Sequence, residues 1–335
     1  MAKIGVLGAG SWGIALALLL DKNGHDMIVW SIDEKEVDML KHKREHLSKL
    51  PGVKLPEGMT FTNTLSEAIV NMDCVILAVP SSFTRATAKK MKEYIVPNQK
   101  IINVAKGIEE KTCMTLSEQI EEELPDADVA VLSGPSHAEE VSRGLPTTCV
   151  IGATSEVTAL YLQKLFINET FRVYISPDIM GIELGGALKN VIALAAGVAD
   201  GMGYGDNTKA ALITRGITEI ARLGIIMGGK KETFNGLTGI GDLIVTCASV
   251  HSRNRKAGYL IGQGKTMQEA MDEVKMVVEG VYSAKAAMEL SKKYNVSMPI
   301  VEQVNKVLFE GEDAKEAVRE LMLRDNNLEH PILPW

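Results

Sequence analysis

Short apolar segments alternate with longer amphipathic segments through the first half of the chain. Five apolar runs of strand length end at a glycine, a proline or a polar residue: 3–7, 27–32, 74–79, 101–104 and 129–132. Segments 64–71 and 112–124 have the spacing of helices. Continuously apolar strands alternating with helices are typical of a parallel sheet with both faces covered. We therefore expect an α/β half built on a doubly wound, mostly parallel sheet, with 147–151 and 171–175 as candidate further strands.

The pattern changes after Pro177. Apolar residues recur at helical spacing in the segments 183–199, 208–223, 266–273, 283–294 and 299–309, and few strand signals remain. This pattern favours an all-α second half. It divides the chain into a sheet domain of residues 1–176 and a helical domain of residues 177–335, with a loose tail after Asn326.

Composition limits the classes of partner. The length of 335 residues favours two domains, and the 46% hydrophobic and 24% charged fractions are ordinary for a soluble globular protein. A formal net charge of −7 argues against a nucleic-acid partner, because a phosphate backbone requires a broad positive field. A small anionic substrate needs only a local basic cluster.

The cysteines and the N-terminus indicate a cytoplasmic protein. The cysteines are far apart, with no C-x-x-C pair and no histidine at zinc-finger spacing: Cys74, Cys113, Cys149 and Cys247. We interpret them as reduced packing residues and expect no metal site. The N-terminus lacks a basic leader with a cleavage site, and its apolar stretch 14–20 is too short to span a bilayer. No membrane insertion is expected.

A glycine motif, GAGSWG at 8–13, follows the first predicted strand and opens a predicted helix. It fits G-x-G-x-x-G, in which the glycines allow a tight turn, close approach of a pyrophosphate, and packing of helix on strand. Free amides at the helix N-terminus would then bind the diphosphate of a dinucleotide. The alternative is a glycine turn between packed elements. The predicted cofactor-binding residues are Gly8, Gly10, Ser11, Trp12 and Gly13.

Asp33 follows the second predicted strand, at about the separation of 20 residues expected for a ribose-binding acid. A carboxylate there favours NAD, because the 2′-phosphate of NADP prefers an arginine or another donor. The alternative is a solvated helix cap, since Glu34, Lys35 and Glu36 follow it. We therefore expect NAD or NADP as the cofactor, with a preference for NAD.

Further motifs extend along the chain: AVPS (78–81), KGIE (106–109), SGPS (133–136), AEEV (138–141), ELGGALKNV (183–191), GLTGIGDL (236–243), HSRNR (251–255) and VEG (278–280). With these segments in this order, the chain resembles bacterial NAD(P)-dependent glycerol-3-phosphate dehydrogenases over nearly its full length. The resemblance implies a Rossmann domain followed by a helical substrate domain, assembled as a homodimer. It also implies reversible reduction of dihydroxyacetone phosphate to sn-glycerol 3-phosphate, feeding glycerophospholipid biosynthesis.

Three positions depart from the family pattern. Ile32 stands where many members carry an arginine or histidine, which weakens the case for binding a 2′-phosphate. Lys49 stands where a tyrosine often precedes Leu-Pro, which weakens the case for a cofactor contact at this position. His137 replaces a common phenylalanine, and we interpret it as a neutral loop or core histidine without a catalytic role.

Lys189 is the candidate catalytic residue. Hydride transfer to a ketone needs a proton donor near the carbonyl oxygen, and the reverse reaction needs a base there. Lys189 lies in a mostly apolar predicted helix, so partial desolvation should lower its pKa from about 10.4. The alternative is a lysine that extends from a helix edge to solvent. Asn190 beside it is expected to orient neighbours or to cap a broken helix.

Lys106 and Asp242 are further candidates for the substrate site. Lys106 follows the fourth predicted strand, at the carboxyl edge of the sheet where ligands of this fold class bind. A solvated loop lysine is the alternative. Asp242 lies in a glycine-rich segment and is expected to pair with Lys189 or hold a substrate hydroxyl, with a helix N-cap as the alternative.

The segment 252–255 is the candidate phosphate site. A hydroxyl, a guanidinium and an amide near the start of a predicted helix at about 254–261 suit a phosphate dianion, although a basic surface turn would look similar. The predicted contacts to substrate are Ser252, Arg253, Asn254, Gly134 and Ser136. The family resemblance implies that Arg253 reaches substrate and cofactor, as does Lys106. It adds further cofactor contacts at Ala138, Val277 and Glu279.

Two other functions remain open at this stage. A related hydroxyacid dehydrogenase would share the glycine loop and a lysine on the first helix of the second domain, with different flanking motifs. A dinucleotide-sensing protein without catalysis would need the glycine loop but not Lys189, Lys106 and Arg253 together.

Overall fold

The computed structural model describes residues 1–324 and residue 329, so the tail expected after Asn326 lies almost wholly outside the described residues. The strands in it are β1 (Lys3–Leu7), β2 (Asp26–Trp30), β3 (Glu45–His46), β4 (Leu50–Lys54), β5 (Thr60–Thr62), β6 (Cys74–Leu77), β7 (Lys100–Asn103), β8 (Asp128–Ser133), β9 (Thr147–Ala153) and β10 (Phe171–Ser176).

The α-helices of the described chain follow the same order, and nine of them come after the last strand. They are α1 (Ser11–Lys22), α2 (Glu34–Lys43), α3 (Thr84–Met91), α4 (Leu116–Glu123), α5 (Ala138–Val141), α6 (Glu156–Phe166), α7 (Ile179–Gly201), α8 (Asp206–Ile226), α9 (Lys231–Phe234), α10 (Asp242–Ala248), α11 (Arg253–Gly262), α12 (Met267–Val274), α13 (Glu279–Tyr294), α14 (Pro299–Asn305) and α15 (Ala314–Met322).

Eight strands form one sheet in the order β10-β9-β8-β7-β6-β1-β2-β5. Every neighbouring pair is parallel except β8 and β9, which are antiparallel. The chain moves outward in one direction from β1 to β2 and in the other from β6 to β7. The switch point therefore lies between β1 and β6, where ligands bind in open α/β sheets. The prediction of a mostly parallel sheet is confirmed.

Helices cover both faces of this sheet. One core cluster contains Ile14 and Leu18 of α1 with Leu162 of α6. A second contains Met91 of α3 and Ile120 of α4 with strand residues of the opposite face. Burial on both faces explains why the strands read as continuous apolar runs rather than as an alternation.

Two helices predicted from the pattern differ in the structure. Segment 64–71 contains only a 3-10 turn at Leu65–Ala68. The helix predicted over 112–124 begins later, as α4, because Thr115 and Glu118 form a capping box at its start. The β3–β4 hairpin and β5 were not predicted, since these strands are short and mix polar with apolar residues without a clear alternation.

The second half is helical, as predicted, and α7 is its central helix. All but a few α7 residues are buried. Among the described helices, α7 is the one that is long and apolar enough to cross a bilayer, and 83% of its most apolar window is buried inside the protein. Its position is that of a core helix.

Candidate active site

The glycine loop lies at the switch point of the sheet. Gly8 has a φ of 121°, and a Cβ there would lie 2.6 Å from the Ala78 carbonyl oxygen after β6. A Cβ on Gly13 would lie 2.0 Å from the Gly8 carbonyl oxygen. In contrast, a Cβ on Gly10 would meet no atom within 4 Å. The first and third glycines are thus required by packing, whereas the second leaves room for a ligand.

The start of α1 fits a dinucleotide pyrophosphate. Gly10 is the N-cap, no side chain caps this helix, and its first turn contains no acidic residue. The amides of Ser11 and Trp12 at the helix N-terminus therefore have neither a side-chain cap nor a repelling carboxylate beside them. Such an uncapped helix start attracts an anion through its amides and its dipole.

Asp33 caps α2, as in the alternative to a ribose-binding role that the sequence allowed. Its Oδ1 accepts a hydrogen bond from the Lys35 amide at 2.9 Å. Beside it, Ser31 and Lys49 donate to the carboxylate of Glu36. Burial raises the pKa of Glu36, but the hydrogen bonds outweigh burial and lower the pKa to about 2. Lys49 is thereby paired with a carboxylate at the edge of the predicted ribose site.

Lys189 is buried in α7, with 6% of its surface exposed. Its Nζ donates to Asp242 Oδ1 and to Thr246 Oγ1, each at 2.6 Å. Burial lowers the pKa of Lys189 to about 8, against the opposing attraction of Asp242. The expected desolvation is confirmed, and the alternative of a lysine reaching solvent from a helix edge is wrong.

Asp242 lies between two lysines. Its other oxygen accepts from Lys106 Nζ at 2.6 Å, and this Nζ also donates to the Gly134 carbonyl at 2.9 Å. Burial would raise the pKa of Asp242, but Lys106 and Lys189 outweigh burial and hold the pKa below its usual value. The expected pairing with Lys189 is present. The N-cap alternative is wrong, because Gly241 is the N-cap and Asp242 is the first residue of α10.

The candidate phosphate segment forms the start of α11. Ser252 is the N-cap, and its side chain accepts from the Arg255 amide at 3.2 Å. Arg253 is exposed, and its Nη1 donates to the Val277 carbonyl at 3.2 Å. Arg255 turns away and pairs with Asp200. One guanidinium of the segment therefore stays beside the helix N-terminus.

The side-chain amide of Asn254 is hydrogen-bonded mainly to other protein groups. Its Nδ2 donates to Asn190 Oδ1 at 2.9 Å, and its Oδ1 accepts from the Gly280 amide at 2.8 Å. The pair joins α7 and α11 to the start of α13. Asn190 orients a neighbour, as expected, but caps nothing, because α7 continues through it.

Glycines bring α7 and α11 into backbone contact. A Cβ on Gly197 would lie 2.1 Å from the Arg255 carbonyl oxygen, and one on Gly258 would lie 2.0 Å from the Leu194 carbonyl oxygen. Side chains at these positions would force the helices apart. The start of α11 is therefore fixed relative to Lys189 by main-chain packing.

Two of the remaining predicted cofactor residues, Glu279 and Ala138, lie near the carboxyl edge of the sheet. Glu279, the first residue of α13, accepts hydrogen bonds from the Ser81 amide, at 3.1 Å, and from the Ser81 hydroxyl. Ala138 is buried at the start of α5. Ser136, just before it, donates to the Gly134 carbonyl at 3.0 Å. The structure thus joins Glu279 to the loop after β6.

Sequence reasoning missed Thr246 and Ser81. Thr246 lies four residues after Asp242 in α10, a spacing that places both side chains on one helix face. That spacing was a usable signal once α10 was assigned. The contact of Ser81 with Glu279 spans 198 positions, and no local pattern indicates it. Within the described part of the chain, no group of His, Cys, Asp and Glu residues could hold a metal ion.

Comparison with known proteins assigns this chain to a family. The family model for the NAD-dependent glycerol-3-phosphate dehydrogenase N-terminus matches residues 3–159, and that for the C-terminus matches residues 178–319. A glycerol-3-phosphate dehydrogenase (NAD(P)+) of Agathobacter rectalis is 65% identical over 335 residues, which are 100% of both chains. One of Fusobacterium nucleatum is 62% identical over 337 residues, again covering 100% of both.

A solved structure supports the same family. The crystal structure of glycerol-3-phosphate dehydrogenase from Coxiella burnetii has a TM-score of 0.93 and 36% identity, covering 96% of this chain and 99% of that one. The family matches extend across both halves and include the segments that contain Lys106, Lys189, Asp242 and Arg253. The chain belongs to the NAD-dependent glycerol-3-phosphate dehydrogenase family.

Proposed function

We propose that this protein is a dehydrogenase that reversibly reduces dihydroxyacetone phosphate to sn-glycerol 3-phosphate with NADH or NADPH. One structural observation supports the proposal independently of family membership. A buried lysine with a pKa of about 8, Lys189, is hydrogen-bonded to Asp242, which also binds Lys106 from the sheet half. This arrangement suits transfer of a proton to a carbonyl oxygen near neutral pH.

Lys189 acts as the proton donor in the reduction. The reduced nicotinamide supplies a hydride to the carbonyl carbon of the substrate. Lys189 Nζ gives a proton to the carbonyl oxygen as the charge on that oxygen develops, and it takes the proton back in the oxidation. Asp242 orients the ammonium and keeps it charged, since loss of this carboxylate would leave a buried cation unpaired. Lys106 adds positive potential on the same side.

The start of α11 binds the substrate phosphate. The guanidinium of Arg253 and the uncommitted amides of the first helix turn match a dianion. Ser252 and Asn254 hold this turn in place through their own hydrogen bonds. Gly134 and Ser136 line the opposite side.

The cofactor binds at the switch point of the sheet. Its pyrophosphate contacts the loop at 8–13, and the fit rests on the open space beside Gly10. Asp33 accepts the ribose hydroxyls through its second oxygen and favours NAD. The nicotinamide end contacts these residues: Lys106, Ala138, Arg253, Val277 and Glu279.

The biological setting completes the proposal. The chain divides into a dinucleotide domain of residues 1–176 and a substrate domain of residues 177–335, and the protein works as a cytoplasmic homodimer. The product supplies the glycerol backbone of phospholipids.

The decisive experiment follows oxidation of NADH and of NADPH by absorbance, with dihydroxyacetone phosphate as substrate. We expect turnover with both cofactors, a higher kcat/KM with NADH, and a loss in Lys189→Met of about a thousandfold or more in kcat with unchanged NADH affinity. Near-normal turnover of Lys189→Met would eliminate the assigned proton donor. Activity of the wild type on a non-phosphorylated hydroxyacid alone would favour a related dehydrogenase instead.

A further inference from the structure

His137 has a buried ring nitrogen that no part of the proposed mechanism uses. It lies between the loop 133–136 and α5, and it is the N-cap residue of that helix. Its side chain makes no capping hydrogen bond. Nε2 is fully buried and has no hydrogen-bond partner among the described residues. Leaving a buried polar atom unpaired costs about 1–3 kcal/mol, so such an atom calls for an explanation.

Charged groups of the candidate active site lie near His137. Its ring centroid lies 5.8 Å from that of His251, the residue before the α11 N-cap. Two ammonium groups, Lys189 and Lys106, lie close enough to act on its charge, as do the carboxylates of Asp242 and Glu139. The ring of His137 therefore lies beside the residue that precedes the candidate phosphate site and within electrostatic reach of the proton donor.

The ring is a neutral hydrogen-bonding group in these surroundings. Burial lowers the pKa of His137, and the nearby Lys189 and Lys106 lower it further, against the carboxylates of Glu139 and Asp242. A neutral imidazole has one N–H donor, which is Nε2 when Nδ1 holds the lone pair. Two features indicate that the partner of this N–H lies at the phosphate end of the substrate. His251 is next to the ring, and both lysines already donate to Asp242.

We propose that His137 is a specificity-determining residue whose Nε2–H donates a hydrogen bond to a phosphate oxygen of the bound substrate. This inference rests on the proposed function. A neutral donor to a charged acceptor contributes roughly ten- to a hundredfold in affinity. The histidine thus adds phosphate affinity without placing a third cation beside Lys189 and Lys106.

Two substitutions separate this role from a structural one. His137→Phe keeps an aromatic ring of similar volume and removes both nitrogens, whereas His137→Gln keeps an amide N–H donor. The matched control is His42→Phe on α2, where an exposed histidine is replaced far from the pocket. The binding readout is calorimetric titration of sn-glycerol 3-phosphate into the enzyme–NADH complex, in which no turnover occurs.

We expect His137→Phe to raise the Kd of sn-glycerol 3-phosphate and the KM of dihydroxyacetone phosphate by about tenfold or more, with little change in kcat or NADH affinity. His137→Gln should recover most of this loss, and His42→Phe should match the wild type. The kcat/KM for unphosphorylated dihydroxyacetone should change far less. An unchanged Kd in His137→Phe, or an equal loss with dihydroxyacetone or in His137→Gln, would overturn the inference. Absence of wild-type turnover on dihydroxyacetone phosphate would instead refute the proposed function.

Discussion

The substitution Asp242→Asn tests the charge balance of the site most directly. It keeps the shape of the side chain and removes the carboxylate that lies 2.6 Å from both Lys189 Nζ and Lys106 Nζ. Two buried or half-buried ammonium groups then face each other with no anion between them. Removing one partner of a buried ion pair is strongly unfavourable, and the cheapest response is loss of a proton from the more buried amine, Lys189.

The magnitude follows from the geometry. At an effective dielectric of about 20, two unit charges whose centres lie about 4 Å apart interact by about 4 kcal/mol, which corresponds to roughly three pKa units. The pKa of Lys189 should fall from about 8 in the wild type to about 5 in the variant. At pH 7, the protonated fraction then decreases from about nine-tenths to about one-hundredth. Reduction of dihydroxyacetone phosphate should slow by on the order of a hundredfold.

The pH profile of kcat distinguishes this cause from misfolding. Lys189 of the wild type is mostly protonated at pH 7 and below, so the kcat of the wild type for reduction should be flat from pH 7 to pH 6. The rate of Asp242→Asn should rise about tenfold over the same interval, because each unit of pH below 7 protonates tenfold more of the amine. Thr246→Val is the matched control, since it removes the second hydrogen bond of Lys189 without removing charge. A profile parallel to that of the wild type, or wild-type turnover at pH 7, would refute the reasoning.

Two further predictions concern the phosphate and the stability of the helical half. In steady-state assays, Arg253→Ala should raise the KM of dihydroxyacetone phosphate by about tenfold or more and change the KM of dihydroxyacetone little. Equal effects on the two substrates would exclude phosphate binding by this guanidinium. Glu219 accepts from the Ile300 amide at 2.9 Å, and burial raises its pKa to about 7. The folded state therefore binds more protons than the unfolded state between about pH 4.5 and pH 7, and the free energy of unfolding falls as pH rises through this window. Calorimetry should show Glu219→Gln to be about 1–3 kcal/mol more stable than the wild type at pH 8 and nearly equal to it at about pH 4. A difference independent of pH would contradict the assignment.

The sequence predicted the sheet well because its strands are buried on both faces. The apolar runs at β1, β6 and β8 are too short for helices and end at turn residues, and all three were located within about two residues. The short strands β3, β4 and β5 carry mixed polar and apolar residues, so no periodicity marks them. The antiparallel pairing of β8 with β9 depends on tertiary packing that a local pattern does not encode.

Individual residues of the candidate site were predicted better than the contacts between them, because those contacts also depend on tertiary packing. Lys189 was found because a lysine interrupts an apolar helix, and its burial and lowered pKa follow from that position. The role of Asp242 as a bridge between two lysines required the contact of Lys106 with α10, across 136 positions. Asn254 was predicted to bind substrate directly, whereas its amide mainly joins α7 to α13. Residue type and spacing indicated which side chains matter, but not which of them bind one another.

The main-chain contact between α7 and α11 fixes the distance between two parts of the proposed substrate site. Gly197 and Gly258 bring the helices so close that neither can slide past the other without a clash. On the proposed assignment, α7 carries the group that protonates the ketone and α11 carries the group that binds the phosphate. The number of carbons between these two ends of a substrate is then selected by backbone geometry. Homologous ketone phosphates with a longer chain should be rejected, and substitution of pocket side chains alone should not restore their turnover.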